Sequence, residues 1–232
     1  MKFSIIVPAH NEQENIEETI NSIERRLKLD YELIVVNDNS VDQTPEIVRK
    51  LSYLYPNLKI VNNPNPPGFA NAIRAGFANV ATDLVVPVMG DLCDDLDTIK
   101  LMLNKIEQGY DVVCGCRYIR GGARLGGSKF KGFLSAAAGW TIHFILGVPT
   151  HDIANAFKMY RMEAIRSMEI KATGFDISME IPLKAYFNKF KITEVPTIWK
   201  ERSKGKSNFK VFKLLPNYLK LYFLAILKRR LN

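Results

Sequence analysis

Leu84–Val85–Val86–Pro87–Val88–Met89–Gly90–Asp91–Leu92–Cys93–Asp94–Asp95 is an apolar run that ends abruptly in carboxylates. Apolar runs bounded by turn signals read as buried strands. A strand that stops on Asp91 sets a carboxylate at the carboxyl edge of a sheet, where open α/β folds bind their ligands. Three acids this close repel one another unless something positive, such as a metal ion, is shared between them. Asp94 and Asp95 also suit the start of a following helix, where carboxylates cap and complement the dipole. Capping accounts for Asp91 less readily.

Outward from this stretch the same pattern recurs. Strand-like runs occupy residues 3–8, 31–36, 58–61 and 111–116. Between them, Ile16, Ile20, Ile23 and Leu27 keep a helical spacing, as do Ile47, Val48, Leu51 and Leu54. Residues 68–80 and 96–106 complete the alternation. Strands alternating with helices predict an α/β fold with a mostly parallel, doubly wound sheet. Each strand ends in polar residues: Asn11 and Glu12, then Asp38, Asn62 and Asn63, Asp91, and Arg117. In such a sheet these ends converge on one crevice.

At 232 residues, 47% of them hydrophobic and 24% charged, the chain is long enough to bury a real core. Its charge is divided. Residues 1–116 carry 10 basic and 17 acidic side chains, whereas residues 117–232 carry 22 and 7. A basic half calls for phosphate, anionic lipid or nucleic acid. Cys93, Cys114 and Cys116 fit neither a disulfide framework nor a zinc spacing and read as reduced thiols of a cytoplasmic protein. The apolar stretch after Met1 and Lys2 is too short for a signal peptide.

Beyond Arg117 the pattern changes. Residues 118–131 interleave Arg120, Arg124, Lys129 and Lys131 with glycines, a flexible basic loop, and residues 199–207 form a second one. Residues 133–149 carry no formal charge apart from His143. Their small and polar members make a buried or interfacial helix a better reading than a span, which needs about 20 predominantly apolar residues. The tail from Phe209 sets apolar and aromatic residues against Lys228, Arg229 and Arg230, the make-up of a helix lying on an anionic membrane or packed on the domain. The basic residues lack interleaved stacking aromatics, so nucleic acid is not expected as a partner. His10, His143, Trp140 and Trp199 read as packing or turn residues; His151 and Glu180 are weaker functional candidates.

Seven segments together resemble the nucleotide-sugar glycosyltransferases of the GT-A fold, and among them the dolichol-phosphate mannosyltransferase type. They are Pro8-Ala-His-Asn11-Glu12; Asp38-Asn-Ser40-Val-Asp42-Gln-Thr44; Gly68-Phe-Ala-Asn-Ala72-Ile; Gly90-Asp91-Leu92; Gly115-Cys-Arg117-Tyr118; Asp152-Ile-Ala-Asn-Ala-Phe157-Lys158; and Arg202-Ser-Lys-Gly205-Lys-Ser207. The resemblance implies a GT-A domain over residues 1–207, with a nucleotide-sugar half (1–116) and an acceptor half (117–207), followed by an amphipathic membrane-associating helix (208–232). It implies that Pro8, Asn11, Glu12, Asp38, Asp91, Arg202 and Lys206 meet a nucleotide sugar, GDP-mannose or UDP-glucose. Arg117, Lys131 and Ser135 would receive the phosphate of a polyprenyl acceptor lipid. Asp91, Asp152 and Arg117 would be catalytic. Asp91, with Asp94, Asp95 or Asp152, would hold Mg²⁺ or Mn²⁺. A hexose would move with inversion at the cytoplasmic face of a membrane, the enzyme peripheral and a separate anchoring protein a candidate partner.

The chain departs from that pattern at the stretch quoted first. The usual Asp-x-Asp is Met89-Gly90-Asp91, and a further ligand position is Cys93; thioether and thiol are poor ligands for a hard ion. Asn37 replaces the first acid of the pair after the second strand. Two competing functions follow. Transfer to a saccharide hydroxyl would need a general base and leave the basic loop without a purpose. A non-catalytic nucleotide-sugar-binding membrane scaffold would not require Asp91 and Arg202.

Overall fold

In the computed structural model, residues 1–202 and 211–231 are described, the second stretch as backbone alone at 211–214, 228, 230 and 231. The expected chain division at 207/208 and the expected ligand Lys206 lie outside the described residues. The strands are β1 (Phe3–Ala9), β2 (Tyr31–Asn37), β3 (Leu58–Asn62), β4 (Leu84–Pro87), β5 (Val112–Cys116), β6 (Ala123–Leu125), β7 (Lys158–Arg161), β8 (Ile192–Pro196) and β9 (Ile198–Lys200). The helices are α1 (Ile16–Arg26), α2 (Thr44–Ser52), α3 (Phe69–Ala78), α4 (Thr98–Glu107), α5 (Lys129–Leu146), α6 (Met162–Arg166), α7 (Ile177–Phe187) and α8 (Val211–Leu231).

Seven strands make one sheet in the order β3-β2-β1-β4-β7-β5-β8. β1 and β2 pair in parallel from Phe3–Tyr31 to Ala9–Asn37, and β3, β4 and β8 join their neighbours in the same sense. Only β7 is reversed, antiparallel to both β4 and β5. The carboxyl ends of six strands therefore share one edge. The segment entering β7 arrives at that same edge.

Alternation along β1 explains the two layers. Phe3, Ile5, Val7 and Ala9 join a core with α1, α2 and α4, while Ile6 faces a second core with α3, α6 and α7. Fully burying such side chains contributes roughly 1.5–3 kcal/mol each. A third cluster joins Ile142 and Leu146 of α5, Met179 and Leu183 of α7, and Ala225 of α8. The C-terminal helix is thus docked on the domain, and Tyr218 reinforces this by donating to the Phe175 carbonyl at 2.9 Å.

Two expectations change. The basic loops are more ordered than their composition implied: β6 lies in the first and β9 begins just before the second, and they pair in parallel as Ala123–Ile198, Arg124–Trp199 and Leu125–Lys200. Three-residue strands are too short to leave a period-two signal. β7 starts only at Lys158, because Asn155 folds back, donating to the Gly115 carbonyl at 2.8 Å and accepting from Phe157 N–H at 3.3 Å. α5 begins earlier than Phe133. Ser128 caps it by accepting from Lys131 N–H, and Gly147 ends it with φ +79°.

Candidate active site

The loops after β1 and β2 are spliced together. Asn11, held at φ +54° where Asn is among the tolerated residues, donates its N–H to Ser40 Oγ (3.1 Å) and accepts from Val41 N–H (2.9 Å). Its side chain therefore serves the loop, between cleft-lining His10 and Glu12. Glu12 N–H donates to Thr44 Oγ1 at 2.9 Å, which aims the Glu12 side chain inward. Asp38 is buried, and its two oxygens accept from Asn63 Nδ2 (2.6 Å) and Gly68 N–H (2.8 Å). It fixes the turn into α3 as well as lining the cleft.

The stretch after β4 forms a tight arch. Met89 N–H donates to Asp94 Oδ2 (2.9 Å), Cys93 N–H to Asp91 Oδ1 (3.3 Å), and Leu92 sits at φ +62°. Thr19 Oγ1 anchors the arch through the Gly90 carbonyl at 3.0 Å. Burial pushes the Asp94 carboxyl up to about 7, against the pull of the Met89 N–H and with the Asp91 charge adding to the rise. Burial, and the Asp91 charge, push the Cys93 thiol far above its ordinary range. Arg202 reaches into this acidic edge, 2.5 Å from Glu12 Oε2 and 3.7 Å from Asp91 Oδ2.

At the other end of the cleft Arg117 is held on three sides. Its Nε meets Asp152 Oδ2 at 2.7 Å, its Nη2 meets Asp152 Oδ1 at 2.8 Å, and its backbone N–H adds a third bond at 3.1 Å. Nη2 also donates to Ser135 Oγ at 3.0 Å, and the guanidinium lies 5.2 Å from the Tyr118 ring centroid. Burial opposes the Arg117 charge, but Asp152 outweighs it and the pKa rises. Behind them, Lys158 is fully buried and donates to the carbonyls of Ile153 (3.0 Å), Ser178 (3.2 Å) and Asn155.

Asp152 has a partner within the chain. It is fully buried, both oxygens are engaged by Arg117, and among the described residues it does not line the cleft. It orients the Arg117 guanidinium through both of its oxygens. Among the described residues no group of three or more His, Cys, Asp or Glu stands together to hold an ion. Asp91 does line the cleft, with Asp94 beside it. One or two carboxylates completed by substrate phosphate and water is the way Mg²⁺ and Mn²⁺ are commonly bound. The donor set fits that mode and not a protein cage.

A cleft of about 770 Å³ joins the two ends. Pro8, Glu12, Asp38, Asp91 and Arg202 line one side, Arg117, Lys131 and Ser135 the other, and Leu134, Ala138, Leu215 and Tyr218 supply an apolar wall between α5 and α8. Arg124, Trp199, Glu201 and Tyr218 line it without having been expected there. Arg124 and Trp199 carried only the signal of an Arg or aromatic residue in a glycine-containing basic loop; Glu201 and Tyr218 carried none. His10 also lines the cleft, its Nδ1 2.6 Å from the Asp38 carbonyl, a turn contact. His151 is turned away, its Nδ1 2.6 Å from Glu194. Glu180 accepts from the N–H groups of Lys171 and Ala172 and has a structural role.

A mostly parallel sheet with its cleft at the carboxyl edge, flanked by helices, is the GT-A glycosyltransferase fold. It aligns with a crystal structure of glucosyl-3-phosphoglycerate synthase from Mycobacterium tuberculosis, in complex with Mn²⁺, UDP and glucosyl-3-phosphoglycerate, at a TM-score of 0.71 and 19% identity, over 98% of this chain and 79% of that one. The chain belongs to Glycosyl transferase family 2, whose sequence model matches residues 4–168. It is 32% identical over 213 residues to a dolichol-phosphate mannosyltransferase of Pyrococcus furiosus, covering 90% of this chain and 60% of that protein. It is 26% identical over 210 residues to a polyprenol monophosphomannose synthase of Mycolicibacterium smegmatis, covering 88% and 79% respectively. The chain thus spans about three fifths of the length of the Pyrococcus protein.

Proposed function

We propose that this chain transfers a hexose from a GDP- or UDP-linked sugar to the phosphate of a polyprenyl phosphate, with inversion at the anomeric carbon. The observation that carries the reading is Arg117: a guanidinium fixed by buried Asp152 and touching Ser135, in the same cleft as Asp91. Such a preset cation receives an anionic acceptor without reorganising. A phosphate oxygen is already anionic at neutral pH, so no general base is needed, in keeping with a basic end that offers Arg117, Lys131 and Ser135. The names of the Pyrococcus and Mycolicibacterium relatives support the lipid acceptor.

At the acidic end, Pro8 and Asp38 would wall the nucleotide and Asp91 would hold a divalent cation, Mg²⁺ or Mn²⁺. When bound, that ion offsets the charge of the departing nucleoside diphosphate. Arg202, now paired with Glu12 and Asp91, would turn to the phosphates as they enter, a charge-assisted contact on a segment beside the cleft. Catalysis is then positioning and charge stabilisation. The outer faces of α5 and α8 expose Phe133, Phe144, Phe223 and Leu227, a surface suited to the membrane boundary where the lipid phosphate lies. Among the described residues no helix is long and apolar enough to cross a membrane.

Incubating the chain with GDP-mannose, UDP-glucose and related radiolabelled donors and a short-chain polyprenyl phosphate, with and without Mg²⁺ or Mn²⁺, tests the reading. Label should enter the lipid phase with one donor and stop with chelator. Transfer to a saccharide hydroxyl alone would overturn it.

A further inference from the structure

β9 has two edges in use. On one side its backbone is bonded to the arch after β4: Lys200 N–H donates to the Cys93 carbonyl at 2.9 Å, and Trp199 bridges Asp94. On the other it pairs with β6, where Arg124 lies opposite Trp199. The Arg124 guanidinium sits 4.9 Å from the Trp199 ring centroid and its Nη1 donates to the Ser128 carbonyl at 2.7 Å. Ser128 is the residue that caps α5. Next along the chain, Glu201 accepts from Gly127 N–H at 2.8 Å and donates its own N–H to the Leu125 carbonyl at 2.9 Å. Space is reserved for this arrangement. A Cβ on Gly132 would come within 2.6 Å of Arg124 Nη1, and one on Gly127 (φ +71°) would meet Arg124 Nη2 and stand 3.3 Å from the Trp199 ring.

We propose that Arg124, Trp199 and Glu201 form a clasp of positioning residues. It fixes the first turn of α5, and with it Lys131 and Ser135, to a strand whose other edge is fastened to the Asp91 arch. The distance between the acidic and basic ends is thereby set through β9. The proposal rests on the reading of Lys131 and Ser135 as acceptor-phosphate ligands. It assigns Arg124 a flat face and a forked donor, not a charge for the substrate. It assigns Glu201 an acceptor oxygen, not a charge.

Steady-state kinetics on the full chain, varying each substrate in turn, test this, with titration of GDP and UDP in Mn²⁺ as a separate measure of donor affinity and melting curves for every variant. Arg124→Ala and Glu201→Ala should raise the KM for a short-chain polyprenyl phosphate roughly 5- to 30-fold while donor affinity stays within about twofold. Arg124→Lys should behave like Arg124→Ala, because an ammonium keeps the charge but loses the stacked plane and the fork. Glu201→Gln should restore the wild-type value, because its amide oxygen still accepts from Gly127 N–H. Wild-type behaviour of Arg124→Lys, or failure of Glu201→Gln to rescue, would mean that these side chains act by charge on the substrate and would overturn the clasp. So would acceptor and donor constants moving together with the melting temperature, since that is a general loosening. An active wild type with unchanged KM in both alanine variants overturns the clasp alone; a wild type that transfers nothing to any polyprenyl phosphate overturns the functional reading and the clasp with it.

Discussion

At one end of the cleft, Glu12, Asp38 and Asp91 follow three strands that lie side by side in one parallel ladder, β2-β1-β4. At the other end, Arg117 is joined to Ser135 across 18 residues and to Asp152 across 35, and none of these contacts belongs to a strand ladder. The acidic end inherits its geometry from backbone hydrogen bonds. The basic end is assembled by side chains. A single substitution should therefore disturb the acidic end locally but should loosen the basic end as a unit.

The largest effect is expected where the basic end has its root. Asp152→Asn leaves the buried Arg117 guanidinium without its counter-charge, and breaking such a pair costs about 3–5 kcal/mol. Denaturant unfolding should show a lower midpoint, and an unchanged midpoint would mean that Asp152 is not the root. Asp91→Ala tests the opposite end. It should leave the melting curve near wild type and reduce turnover on the order of 100-fold or more; undiminished turnover in lipid-transfer assays would remove Asp91 from the proposed chemistry.

A smaller effect separates the cleft from the outer surface. Phe144→Glu with Phe223→Glu should weaken flotation with anionic vesicles by about tenfold, while transfer to a detergent-solubilised short acceptor persists. Equal flotation would show that these exposed rings do not meet the bilayer. Smallest is Glu180→Gln. Burial works against the Glu180 charge, but Lys184 and the N–H groups of Lys171 and Ala172 outweigh it and hold the carboxyl below its ordinary 4.5. A depressed carboxylate contributes stability that is present above the ordinary pKa and lost as pH falls through the folded value. Wild type and variant should thus differ by about 1 kcal/mol at neutral pH and converge as pH falls through the folded value, below the ordinary 4.5, measured by urea titration across pH.

The contrast also explains what was readable in advance. Strand runs of five to seven residues and helices with apolar positions at 16, 20 and 23 leave strong periodic signals. The carboxylates at their ends could be placed on one edge before any coordinates. Strand direction leaves no such signal, so the reversal of β7 could not be read from its residues. β6 and β9 were too short to register. The pairing of Asp152 with Arg117 left no sequence signal either, because it depends on where a reversed strand begins.

That partner contact has a consequence for how the chain can change. Arg117 and Asp152 stand at the neck of an excursion that leaves the sheet after β5, contains β6 and all of α5, and returns at β7. A segment tied at its neck bears the entropy of closure only logarithmically, so doubling its length adds about 0.6 kcal/mol. Insertions remote from the clasp and from the α5 seat on α8 are therefore tolerable, and the excursion is the natural cassette for refitting the proposed acceptor end while the parallel ladder stays as it is.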